Sequence, residues 1–236
     1  MSGSIRLFVT EPLAAGSAVT ATQAQAQYLS TVMRRGMGDT VRLFNGRDGE
    51  WRARIVGIRR ERVELVIEEH LRPQMGEPDI WLVFALLKRD ATDLVVQKAT
   101  ELGVSPLLPV FTERTVPDRM NRARLAAIAT EAAEQSERLT VPAVGAARRL
   151  TEMLESWPSD RILHVAMERI AAPPLCGSGA GANALLVGPE GGFSESEMRL
   201  LRGCHFVVPV SLGPRVLRAE TAAIAGLALL QAPATL

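Results

Sequence analysis

Two fold classes follow one another along this 236-residue chain: a small all-β unit, then an α/β unit with a mainly parallel sheet. Three observations predict them. The N-terminal part holds short Val- and Ile-rich runs that partly alternate in polarity. From Ile80 onward the apolar runs become continuous and alternate with segments of helical period. Between the two, HLRPQMGEPD (His70–Asp79) carries two prolines and a glycine, the composition of a linker. We divide the chain into 1–74 and 75–236.

In the first unit the expected strands are IRLFV (Ile5–Val9), TVRLFN (Thr40–Asn45), EWRARIVGI (Glu50–Ile58) and RVELVIEEH (Arg62–His70). NGRDGE (Asn45–Glu50) supplies a turn between two of them. Several short strands with little helix suggest a small barrel or sandwich.

In the second unit WLVFALL (Trp81–Leu87) reads as a strand buried on both faces. A helix follows over Asp90–Gly103, with Val95, Ala99 and Leu102 on one stripe and a terminal glycine. LLPVFT (Leu107–Thr112) is the next strand. Asn121–Arg138 is a second helix, with Leu125, Ile128, Ala129, Ala132 and Leu139 directed inward. ILHVAM (Ile162–Met167), ALLVGP (Ala184–Pro189) and VVPVSLG (Val207–Gly213) are further strands. SESEMRLLRG (Ser194–Gly203) is a helix whose Ser194 and Glu197 match the capping box. RAETAAIAGLALLQ (Arg218–Gln231) is an apolar last helix.

Composition excludes several classes. No apolar run approaches the ~18 residues of a membrane span, and MSGSIRLFVTEP lacks a signal peptide's basic and apolar regions, so the expected location is the cytoplasm. Cys176 and Cys204 form no CxxC, and His70, His164 and His205 are scattered, so no metal is expected. Net charge is only +1, but residues 1–60 carry nine arginines against four acids. That bias fits either contact with a phosphate backbone or a solvated basic face. Arginines number 25 and lysines only two, Lys88 and Lys98. Positions that keep lysine in such a background suit a compact ammonium.

Two glycine-containing turns carry the functional reading. VGPEGGFS (Val187–Ser194) follows a buried strand and leads into a capped helix, so its backbone can approach a ligand at a strand's carboxyl end. It lacks the Lys-Ser/Thr pair of a Walker loop. Read alone, it is equally a tight strand-to-helix turn. SLGPRVLRAET (Ser211–Thr221) repeats the design. Glu220 in the first helical turn is ordinary dipole compensation, whereas a cation there, Arg218, suggests an anionic partner. CGSGAGAN (Cys176–Asn183) matches a dinucleotide fingerprint only formally, because it follows two prolines and precedes a strand; it is a loop. A third cluster comprises Lys98, Glu101, Arg114, Glu134, Gln135 and Arg138. Glu134 and Arg138 are spaced for a routine helical ion pair.

Together and in this order, QKATELGV, ERTV, EAAEQSER, LLVGPEGGFS and SLGPRVLRAETAA resemble the bacterial small-subunit ribosomal RNA uridine-N3 methyltransferases of the SPOUT class. The resemblance spans essentially the whole chain. It implies a PUA-like N-terminal barrel, a C-terminal α/β domain tied in a deep trefoil knot, and a homodimer. It also implies S-adenosylmethionine held by Met167, Val187, Gly188, Glu190, Gly192, Leu212, Gly213 and Leu217. The implied partner is small-subunit ribosomal RNA or the assembled subunit, gripped by Arg6, Arg34, Arg35, Arg114 and Arg138. One departure stands out: AQYLSTVMRR (Ala26–Arg35) lacks the histidine usual in that segment.

Methyl transfer from a sulfonium is an in-line displacement, and uracil N3 must lose a proton. Arg218 suits stabilisation of the resulting uridinate, and Glu220 the role of base or of orienter of Arg218. The rivals are a SPOUT enzyme for another RNA nucleotide and a non-catalytic RNA-binding protein that keeps the fold.

Overall fold

The computed structural model describes residues 5–59, 62–168, 172–177 and 181–232. Part of the CGSGAGAN loop, Ser178–Ala180, and the chain's first four and last four residues lie outside them. The described chain forms two compact units: 1–76 with 133–141, and 77–132 with 142–236. A single cut at residue 74 does not capture this, because 133–141 joins the N-terminal unit.

The first unit contains β1 (Arg6–Phe8), β2 (Ala18–Thr20), α1 (Gln23–Gln27), β3 (Thr40–Phe44), β4 (Glu50–Arg59) and β5 (Arg62–Arg72). Its five-stranded sheet runs β1-β3-β4-β5-β2; β1 and β3 are parallel and the other pairs antiparallel. Register shifts along β4 bend the sheet, as bulges do. Every strand turns one face to a common core that includes Leu7, Val19, Leu43, Ile55 and Leu65. Alternation made the long strands legible. By contrast, β2 and α1 carry no such pattern. A capping box between Thr22 and Gln25 starts α1, and a π-helical turn over Tyr28–Val32 continues it.

Two arginines expected to grip RNA prove to be structural parts of this unit. Arg6 is 6% exposed and ion-pairs with the fully buried Glu50 at 2.5 Å. Its remaining N–H groups donate to the carbonyls of Ala133, Glu134 and Arg138. Arg138 is likewise buried and donates to Thr140 Oγ1. The Arg6 guanidinium is thus directed at internal acceptors of this unit rather than at solvent.

In the second unit the chain continues through β6 (Ile80–Ala85), α2 (Arg89–Glu101), β7 (Pro106–Phe111), α3 (Arg122–Gln135), β8 (Ala143–Val144), β9 (Arg148–Arg149) and α4 (Leu150–Glu155). It ends with β10 (Ile162–Ala166), β11 (Asn183–Val187), α5 (Glu195–Gly203), β12 (Val207–Val210) and α6 (Ala219–Gln231). Helix α3 stops at Gln135, short of the expected Arg138, and Glu137 adopts a left-handed φ of 61° just beyond it. The last residues of α3 already belong to the first unit.

The seven-stranded sheet runs β12-β10-β11-β6-β7-β8, with β9 also pairing β7, and all its pairs are parallel. Strand β11, NALLV, is buried at every residue, which explains its unbroken apolar run. One face of the sheet packs Leu163, Val165 and Leu186 against Met153 and Leu154 of α4 and Leu201 of α5. On α6, Gly226 lies so close to Leu185 that an added Cβ would sit 2.6 Å from its Cδ2. Because the strands are parallel, the connections after β10, β11 and β12 leave the same edge.

Candidate functional site

Those three connections enclose a cavity of about 470 Å³. Met167 and Glu168 come from the end of β10, Val187–Phe193 from the turn after β11, and Leu212, Gly213 and Arg215–Ala219 from the connection after β12. The capacity suits a small organic ligand, and the position at strand carboxyl ends is where open α/β sheets bind one. All eight residues that the resemblance assigned to the cofactor line this one cavity.

Local chemistry shapes each wall. Gly192 and Gly213 hold φ of 69° and 117°, which side-chain-bearing residues rarely adopt. At Gly188, an added Cβ would meet the Phe193 ring at 3.0 Å. The turn after β11 is closed by Gly192 N–H donating to the Pro189 carbonyl at 2.8 Å. It then enters α5 through the expected capping box: Ser194 N–H donates to Glu197 Oε2 at 2.8 Å, and Glu197 N–H donates to Ser194 Oγ at 3.2 Å.

The connection after β7 secures this turn from outside. Arg114 Nη1 donates to the Gly191 carbonyl at 2.7 Å, and Glu113 N–H donates to Glu197 Oε1 at 2.8 Å. Ser196 Oγ donates to Glu113 Oε1 at 2.7 Å. Hydrogen bonds from Ser196 and Ser194 hold the Glu113 carboxyl below the ordinary carboxylate range. Thus Arg114, expected to contact RNA, lines the cavity and braces its glycine turn. Spacing alone did not show this; the ERTV segment gave its only signal.

Arg218 is the N-cap of α6, exposed and lining the cavity. Its carbonyl accepts from Ala222 N–H at 2.8 Å, but its side chain makes no hydrogen bond or ion pair among the described residues, so its guanidinium is free for a ligand. Glu220, one residue into the helix, does not line the cavity, and no hydrogen bond or ion pair joins it to Arg218. The structure therefore does not bring this pair together. Three further charged side chains line the walls: Glu168, Glu190 and Arg215. The resemblance had assigned Glu190 alone of these; Arg215 sits in the SLGPRVLRAET segment already singled out.

Elsewhere, exposed Arg34 is held at a left-handed φ of 50°, beside half-buried Arg35, whose Nε has no hydrogen-bond partner among the described residues. Among the described residues no three His, Cys, Asp or Glu side chains gather to hold a metal ion. Among the described residues no helix is long and apolar enough to cross a membrane.

An RNA methyltransferase domain family matches residues 75–231, and an RNA methyltransferase PUA domain family matches residues 21–68. The ribosomal RNA small subunit methyltransferase E of Rickettsia conorii is 33% identical over 227 residues, covering 94% of this chain and 93% of that protein. The same-named protein of Neisseria gonorrhoeae, solved bound to S-adenosyl methionine, superposes with a TM-score of 0.86 at 31% identity, covering 97% of both chains. A methyltransferase from Legionella pneumophila, solved with SAM, gives 0.88 at 31% identity over 98% of both. By sequence along its whole length and by fold, this chain belongs to the ribosomal RNA small subunit methyltransferase E family.

Proposed function

We propose that this protein transfers a methyl group from S-adenosylmethionine to N3 of a uridine in small-subunit ribosomal RNA. The observation that carries the reading is the cavity at the ends of β10, β11 and β12, with Arg218 at its wall and the Arg218 guanidinium without a partner among the described residues.

The residues present fit that cofactor. Apolar walls from Met167, Val187, Leu212 and Leu217 suit an adenine ring and exclude water, and the glycine turns admit close backbone approach. Glu168 and Glu190 supply negative charge and Arg114 and Arg215 positive charge, as a zwitterionic amino-acid tail requires. When bound, S-adenosylmethionine supplies an electrophilic methyl on a sulfonium.

The chain's own contribution is alignment and charge. The braced glycine turn fixes the cavity wall, and restricting the reacting geometry lowers the barrier entropically. Arg218 stabilises the negative charge that spreads over O2, N3 and O4 when the uracil N3 proton departs to solvent. With Glu220 outside the cavity wall, no carboxylate base from α6 is needed in this scheme. The target base must be unstacked to enter, which suits a single-stranded or opened RNA segment.

Three further elements belong to this proposal. Arg34 and Arg35 contact the RNA backbone, with the left-handed Arg34 presented to solvent. The enzyme acts as a homodimer in the cytoplasm, with light scattering as the check on its mass. The chain around the cofactor follows the knotted path that its family resemblance implies.

The test is methylation of small subunits and of naked ribosomal RNA with purified protein, followed by mass-spectrometric mapping. A 3-methyluridine in small-subunit RNA supports the proposal. Methylation at another atom or nucleotide would favour the rival substrate, and absence of S-adenosylmethionine binding the non-catalytic reading.

A further inference from the structure

We propose that a second, arginine-lined cavity in the α/β unit binds the phosphodiester backbone of the RNA flanking the target base; this rests on the methyltransferase reading above. The cavity, of about 730 Å³, opens where β6 ends and where α2 and α3 begin. Leu86 and Leu87 form part of its wall, and Arg89, Arg119, Arg122 and Arg124 surround them. Among the described residues no carboxylate lines it.

The four arginines divide into two kinds. Arg122 is tethered, donating from Nε to the Val144 carbonyl at 2.6 Å, and Arg124 is ion-paired with Asp93. Arg89 and Arg119 are exposed, and their side chains make no hydrogen bond or ion pair among the described residues. Their sequence neighbours Asp90 and Asp118 are exposed and lie outside the lining. Helix α2 also starts here without a side-chain cap, its N-cap being Lys88. Unpaired guanidiniums and uncapped helical N–H groups together favour an anion with several acceptor oxygens, and arginine suits phosphate.

Position identifies which phosphate. Strand β6 lies beside β11 in the parallel sheet, so both cavities open on the same edge. One connection serves both: Arg114 lines the methyl-transfer cavity, and Pro117 and Arg119 line the second. Five residues of extended chain span at most about 18 Å. A nucleic-acid strand whose base enters the first cavity therefore continues past the second, whose apolar wall of Leu86, Leu87 and Met120 suits sugar and base faces.

The experiment measures binding of fluorescein-labelled oligouridylate by anisotropy across a salt series, comparing wild type with the Arg89→Ala/Arg119→Ala double variant. The expected result is about tenfold weaker binding at low salt and a salt slope reduced by about 1.4, at roughly 0.7 per lost single-strand contact. Arg89→Lys/Arg119→Lys should keep the slope, and S-adenosylmethionine affinity should stay at the wild-type value in both, showing an intact fold. In methylation of small subunits the alanine variant should raise KM. Unchanged affinity and slope in the alanine variant would overturn the proposal, as would equal losses in the lysine variant. Oligouridylate binding is read without turnover. A wild-type protein that binds it but transfers no methyl would therefore sink the proposed function and leave this test intact.

Discussion

Arg114 donates to the Gly191 carbonyl at 2.7 Å, tying the connection after β7 to the glycine turn after β11. The bond joins residues 77 positions apart, and the aliphatic part of Arg114 also packs on Gly191, with Cβ and Cδ each 3.5 Å from where a Cβ would stand. The turn is thus braced by a side chain from a different strand connection.

Removing that brace should loosen the cavity without unfolding the domain. Arg114→Ala is expected to weaken S-adenosylmethionine binding about tenfold, the equivalent of one charge-assisted hydrogen bond of about 1.5 kcal/mol. Arg114→Lys should fall between. Titration calorimetry reads both; wild-type affinity in the alanine variant would show that the turn holds its shape unaided.

Gly213 tests the opposite wall. Its φ of 117° strains any side-chain-bearing residue, although among the described residues beyond its chain neighbours no atom lies within 4 Å of an added Cβ. Gly213→Ala should therefore act through backbone strain alone, on the order of 1–3 kcal/mol. The expected outcome is a lower melting temperature together with weaker cofactor binding. If both stay at wild-type values, the left-handed conformation does not matter to the site.

Glu50 should govern the acid stability of the N-terminal unit. Burial raises its pKa, but hydrogen bonds and charges from Arg6 and Arg72 outweigh burial and hold it below the ordinary value. A folded pKa below the unfolded 4.5 contributes stability that is complete above that value and lost as pH falls through the folded one. Glu50→Ala leaves Arg6 buried without its counter-charge, at a cost of about 3–5 kcal/mol. Denaturant unfolding across pH should show this loss at neutral pH and a flatter acid limb in the variant.

What the sequence revealed depended on how local each feature was. The Ser194–Glu197 capping box and the buried β11 run depend on neighbouring residues, and both were legible. The cavity was legible in part: glycine turns at strand ends marked its location, but the resemblance was needed to add Met167 from β10. The burial of Arg6 and Arg138 was not legible because the partners of Arg6 lie 44 to 132 positions away, and an arginine's burial is not written in its neighbours. Residues 133–141 join the first unit for the same reason, through packing of Ala133 and Leu139 on Phe44. The second cavity was invisible because it forms only where two helix starts and a strand end meet.

The most direct measurement compares wild type and Arg218→Ala, following methyl incorporation into small subunits alongside calorimetric S-adenosylmethionine binding. Arg218 lines the cavity, and its guanidinium has no partner among the described residues. The expected result is methylation reduced at least a hundredfold with cofactor affinity within a few-fold of wild type, as for loss of one preorganised charge-stabilising group. Normal turnover in that variant would contradict the mechanism and remove Arg218 from the chemistry.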